Sequence, residues 1–88
     1  MTINAKLQEQ EIELQDPAAP VANYVGYNII GDMIYVSGQI CMENGALKYA
    51  GKLGSDYNVE DGQKAARICA INILAQLNAA CGGNLNKV

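Results

Sequence analysis

Two periods organise the apolar and polar positions of this chain. Residues 24–30 and 33–41 alternate, as strands do because successive side chains point to opposite faces of a sheet. Residues 59–81 repeat their apolar positions every three to four residues, as a helix does. Gly31-Asp32 lies between the two alternating runs, and a glycine-first, two-residue loop suits a type II′ hairpin. Such a turn sets the register: Ile30 opposite Met33, Asn28 opposite Tyr35, Gly26 opposite Ser37 and Tyr24 opposite Gln39. One face then carries Val25, Tyr27, Ile29, Ile34, Val36 and Ile40 and is the predicted core. The other carries Tyr24, Asn28, Tyr35, Ser37 and Gln39. It is polar but uncharged, which suits an interface or a ligand cleft, the alternative being a plain wet face.

Weaker signals flank this pair. Thr2 can cap a short helix over residues 3–10 with Ile3 and Leu7 on one face. Ile12-Glu13-Leu14 alternates like a short strand, and residues 16–20, with prolines at 17 and 20, read as a linker. Asn44-Gly45 predicts a small hairpin between residues 41–42 and 47–49. Gly51-Lys52-Leu53-Gly54 reads as a structural turn, since a phosphate-binding loop needs more glycines and a following Lys-Ser/Thr. Asn58 can cap the long helix, with Glu60 and Asp61 in the first turn where the dipole favours acids. Ala66, Cys69, Ala70, Ile73, Leu77 and Ala80 form its predicted core stripe. Ile68, Ile71 and Leu74 extend apolar character to a second side, so more than one surface is expected to cover this helix. Gly82 or Gly83 supplies the left-handed stop, a polar turn follows, and Val88 stands where a further strand is expected to begin.

Length and charge narrow the picture. A chain of 88 residues is one domain or part of one. Half of its residues are hydrophobic, and its five aromatics are all Tyr, so the core is aliphatic. A net charge of −3 and six scattered basic residues argue against nucleic acid as a partner. No membrane span or signal segment is expected. Cys41, Cys69 and Cys81 are odd in number, and there is no His, so neither a disulfide framework nor a zinc site is expected. The thiols read as small packing residues of a cytoplasmic protein.

Three stretches together carry a resemblance: "PVANYVGYNIIGDMIYVSGQI", then "GKLG", then "VEDGQKAARICAINILAQLNAACGGNL". They resemble the YjgF/RidA family, reactive-intermediate imine deaminases once labelled L-PSP endoribonucleases, in the subgroup with an extra N-terminal helix. The resemblance implies an α+β, chorismate-mutase-like fold. Here that means an antiparallel sheet packed on one long helix, with a short N-terminal helix. It also implies a homo-oligomer, a trimer or a swapped dimer, with small-molecule clefts between subunits and no cofactor. Tyr24 falls on the family's cleft Tyr. Gly38 falls on the glycine whose backbone faces the ligand, flanked by Ser37 and Gln39. Val25 stands where many members have Ser, a departure. In the family a strand, a second helix and two more strands follow the long helix, and they carry the Arg that holds the substrate carboxylate. The chain is therefore expected to be the N-terminal half of a single domain, residues 1–88.

The implied chemistry is hydrolysis of a 2-imino acid to a 2-keto acid and ammonia. It needs a cation for the carboxylate and a positioned water. Tyr24, Ser37, Gly38 and Gln39 are the candidate substrate-binding residues for an imino acid or carboxylate; no catalytic residue is assigned. A nucleophilic Ser37 is disfavoured because no His or Lys lies near it in sequence. The expectation is an imine-deaminase-like protein inactive by itself; the alternative is a non-catalytic, oligomeric ligand-binding or structural module.

Overall fold

A computed structural model describes residues 3–17 and 25–88. The chain runs α1 (Ile3–Glu9), β1 (Tyr27–Ile30), β2 (Met33–Val36), β3 (Met42–Glu43), β4 (Ala46–Leu47), α2 (Val59–Ala80) and a closing 3-10 turn (Leu85–Lys87). β1 and β2 pair antiparallel, as do β3 and β4, in two separate two-stranded sheets. α2 packs against β1, β2 and β3. The arrangement is α+β, as the alternating and helical periods predict.

Turn chemistry fixes both hairpins. Gly31 has φ +60° and Asp32 does not share the positive sign, as a type II′ turn requires. Asn44 and Gly45 have φ of +53° and +80°, the pair of left-handed residues that a type I′ turn needs. The register across Gly31-Asp32 is the predicted one: Ile30 opposite Met33 and Asn28 opposite Tyr35. The Ser37 amide donates to the Gly26 carbonyl at 3.0 Å, which continues the ladder one step beyond the strands. Tyr24, the expected partner of Gln39, lies outside the described residues.

Both ends of α2 are closed by side-chain or glycine chemistry. Asn58 Oδ1 accepts from the Asp61 amide at 2.9 Å, and Asp61 Oδ2 accepts from the Asn58 amide at 3.2 Å, a reciprocal capping box. At the other end, the Gly82 amide donates to the Ala79 carbonyl and the Gly83 amide to the Asn78 carbonyl. With φ of +64° and +92°, the two glycines form a Schellman stop.

The core differs from the expected one in composition. The buried residues of α2 are Asn72, Ala75 and Gln76. Ala66, Ala70 and Ile73, predicted to face the core, are exposed. The helix is rotated toward its polar positions because the sheet it meets is small and its loop carbonyls need donors. Asn72 Nδ2 donates to both the Ile40 and Met42 carbonyls at 2.9 Å. Gln76 lies under Gly26, where an added Cβ would stand 2.6 Å from Gln76 Oε1. Glycine at 26 therefore sets how closely the hairpin approaches α2.

The hairpin keeps its predicted sidedness in part. Tyr27, Ile34 and Val36 are half-buried toward α2, while Val25, Ile29 and Ile40, expected in the core, are exposed. Four-residue strands and a single helix cover only part of that face. One further reading is corrected. Residues 12–14 form no strand, although Ile12 and Leu14 are half-buried and Glu13 is not. Before Val88, residues 85–87 turn as a 3-10 helix, and Leu85 is buried, 2% exposed. That turn docks on α1, where the Ile3 amide donates to Asn86 Oδ1 at 2.9 Å.

The Asn72 contacts yield a test. Asn72→Ala removes two hydrogen bonds worth about 0.5–1.5 kcal/mol each and leaves a void, for a loss of ~2–3 kcal/mol. Asn72→Asp is expected to cost more, because a carboxylate cannot donate and would face two carbonyl oxygens. Urea unfolding midpoints of the three proteins, ordered wild type, Ala, Asp, check this; Asp equal to wild type would refute it.

Candidate functional site

β2 delivers Ser37, Gly38 and Gln39 as it leaves the hairpin. Ser37 Oγ donates to the Val25 carbonyl, and Gln39 Nε2 donates to the Ser37 carbonyl at 3.1 Å. Both side chains are thus committed to the backbone. A serine whose hydroxyl hydrogen is held by a carbonyl, with no base beside it, is not an activated nucleophile. Between them Gly38 is exposed, with nothing within 4 Å of where a Cβ would stand. Its backbone can meet a ligand closely, as only glycine allows. Tyr35 and Asn28, cross-strand partners on the same side, are also exposed. Three of the four predicted site residues therefore gather at one end of the hairpin; the fourth, Tyr24, lies outside the described residues.

The segment that builds this surface supplies no cation. Residues 18–42 contain neither Lys nor Arg. The cations read as scattered in sequence are partly gathered in space, in a hollow whose lining includes none of Ser37, Gly38 and Gln39. Lys48, Lys64 and Arg67 line one hollow of about 310 Å³, floored by Ile68 and Ile71 and bordered by Tyr49 and Glu43. A larger hollow of about 700 Å³ adjoins it through Arg67, Ile68 and Ile71 and is bordered by the acidic segment Glu11, Glu13 and Asp16. Sequence periodicity signals the Lys64–Arg67 spacing on one helix face, but not that Lys48 joins them.

Tyr49 departs from ordinary backbone geometry, with φ +53°, and its ring meets that of Tyr57 edge-on at 5.6 Å. The glycine-bracketed loop below it closes on itself. The Lys52 carbonyl accepts from the Asp56 and Tyr57 amides, and Asp56 Oδ2 accepts from the Lys52 amide at 2.9 Å. The Gly54 amide likewise donates to the Tyr57 carbonyl at 2.7 Å, as a structural turn requires.

Two thiols read as separate packing residues come together. Cys41 Sγ donates to the Lys48 carbonyl and lies beside Cys69, one turn from Asn72 on α2. Burial, the charge of a neighbouring Cys41 thiolate and a hydrogen bond with Cys41 push the Cys69 thiol above its ordinary value of 9.0. Among the described residues no group of three or more His, Cys, Asp or Glu is placed to hold a metal ion, and no helix is long and apolar enough to cross a membrane.

Comparison with known proteins adds a frame to this geometry. The profile of the family described as "YjgF/chorismate mutase-like, putative endoribonuclease" matches residues 4–88. Protein TCP17 of Trypanosoma cruzi is 40% identical over 86 residues, which cover 98% of this chain and 53% of that protein. The crystal structure of a "putative endoribonuclease" from Shewanella oneidensis superposes with a TM-score of 0.91 at 40% identity, covering 98% of this chain and 56% of that one. A protein of unknown function from Agrobacterium tumefaciens superposes with a TM-score of 0.83 at 44% identity, covering 99% and 52%. The chain spans about half the length of each.

The raised Cys69 value has a consequence for stability. A thiol held protonated by the fold gives its full contribution below the unfolded value. That contribution is lost as pH rises through the higher folded value. The urea midpoint is expected to fall above pH ~9 in the wild type, and to fall less steeply in Cys69→Ser. Parallel curves for the two proteins would refute the assignment.

Proposed function

Because this chain belongs to the YjgF/chorismate mutase-like family, we propose that it supplies one wall of a site that hydrolyses small 2-imino acids to 2-keto acids and ammonia. The observation that carries the reading is the open Gly38 backbone, held between two side chains already tied down. In this reading the Gly38 backbone contacts the imino acid, with Tyr24 as a second binding residue. Water adds to the imine carbon, the carbinolamine collapses, and ammonia leaves. No described residue at this wall serves as a strong base, so the chain's part is to bind and orient.

The carboxylate needs a partner from elsewhere, because residues 18–42 hold no cation. A charge-assisted, bidentate pair with Arg is the strong form of that contact. The 88-residue chain alone is therefore expected to release ammonia or keto acid no faster than background from an enzymatically generated 2-imino acid. A chimera tests the wall itself. Residues 4–88 replace the matching segment of the Shewanella protein, with which they superpose closely. Imino-acid hydrolysis is the expected result. In the chimera Tyr24→Phe should cost about 0.5–1.5 kcal/mol of transition-state stabilisation through one lost hydrogen bond. Tyr24→Ala should slow turnover at least ~tenfold. An inactive chimera beside an active parent, or a Tyr24→Ala variant as fast as its parent, overturns the proposal. RNA cleavage in place of imine hydrolysis would favour the activity named for the Shewanella relative.

The same reading includes self-association. Val25, Ile30, Met33 and Tyr35 are more than half exposed, and each strand of the hairpin has one edge without a partner strand among the described residues. Burying one aliphatic side chain gains about 1.5–3 kcal/mol, so a few per subunit are enough to hold copies together. Unpaired strand edges offer the hydrogen bonds. Light scattering at micromolar concentration is expected to give a multiple of the 9.4 kDa chain mass, with a trimer or a swapped dimer as the two forms considered. A sharp monomer mass with a cooperative melt would contradict it.

A further inference from the structure

We propose that Cys41 and Cys69 are a reversible thiol–disulfide pair that fastens the β3–β4 hairpin to α2 when a hydroperoxide oxidises them. Cys41 lies in the link between β2 and β3, Cys69 lies on α2, and the backbone brings the two segments together. Asn72 Nδ2 holds the carbonyls on either side of Cys41, those of Ile40 and Met42, at 2.9 Å. Cys69 lies three residues before Asn72, one turn away on the same face of α2. The Asn72 clamp thus seats Cys41 against the turn of α2 that carries Cys69. Both residues are half-buried, so a small oxidant reaches them. Cys81 is buried twelve positions further along α2, about 18 Å from Cys69 along the helix axis, and does not compete.

In the proposed sequence Cys41 attacks and Cys69 resolves. The Cys41 thiolate attacks the terminal oxygen of the hydroperoxide. The O–O bond breaks, an alcohol or water leaves with a proton, and Cys41 becomes a sulfenic acid. Cys69 sulfur then displaces the sulfenic oxygen as water, giving the disulfide. Two thiols are oxidised by two electrons, and one peroxide is reduced. A dithiol reductant reverses the step by thiol–disulfide exchange. The bond would close residues 42–68 into a covalent loop that contains Lys48, Lys64 and Arg67, and so fix the walls of the cationic hollow.

The experiment treats the wild-type chain with stoichiometric hydrogen peroxide, quenches it, and reads intact mass, free thiols and peptide linkage under non-reducing digestion. The expected result is loss of two hydrogens per chain, a fall from three free thiols to one, and a Cys41–Cys69 cross-linked peptide, all reversed by dithiothreitol. The oxidised chain should melt ~5 °C or more above the reduced one. Cys81→Ser should behave as wild type. Cys41→Ser and Cys69→Ser should each abolish the intramolecular link. Three intact thiols, a link through Cys81, links only between chains, or oxidation of Cys41 to sulfinic acid without linkage would each overturn the proposal.

Discussion

One side-chain amide, that of Asn72, joins the parts of this fold. A two-stranded sheet of four-residue strands is not stable in water by itself, and its loops carry carbonyls that need donors. Asn72 brings two N–H groups from α2 to the carbonyls of Ile40 and Met42. Left unpaired in this buried position, the amide would cost roughly 2–7 kcal/mol. Paired, it ties the exit of β2 and the start of β3 to a single point on the helix. The position of Gly38, the seating of the β3–β4 hairpin and the meeting of Cys41 with Cys69 all follow from that point.

The consequence is a molecule with separated chemistry. Ser37, Gly38 and Gln39 at the hairpin end are uncharged, while Lys48, Lys64 and Arg67 line a hollow that includes none of them. A ligand that needs both a close backbone approach and a cation cannot find them at one place within residues 25–42. This is why the proposed chemistry requires a second contributor, and why the exposed apolar residues of the hairpin matter to the functional reading.

Much of the frame was legible in the residues. Gly31-Asp32 and Asn44-Gly45 announce their turns because only certain residues tolerate φ > 0. Asn58 with Asp61, and Gly82 with Gly83, mark the ends of α2 by caps that act locally. Those signals need no tertiary context. The buried face of α2 was not legible in the same way. Apolar periodicity selects Ala66, Cys69, Ala70 and Ile73, yet Asn72 and Gln76 are buried. A polar residue goes inside when distant carbonyls reward it, and the register of a loop over thirty residues away is not written on the helix. Leu85 was missed for the same reason: its burial depends on α1. Of the site, the Ser37-Gly38-Gln39 cluster was readable from alternation and family likeness, whereas the gathering of Lys48 with Lys64 and Arg67 exists only in three dimensions.

The contact between Ile3 and Asn86 spans 83 positions. Closing a loop costs entropy that grows with the logarithm of its length, so this contact is unfavourable until the intervening chain has condensed. The hairpins and α2, built from neighbours in sequence, have no such delay. The expected folding order is therefore local elements first and the α1 clasp last. The same order runs backward in the native state. α1 has no buried residue and is held chiefly by the turn at 85–87, so its amides exchange with solvent in openings that leave α2 intact. Glycines 82 and 83, by turning the chain back on itself, decide whether that last step takes place at all.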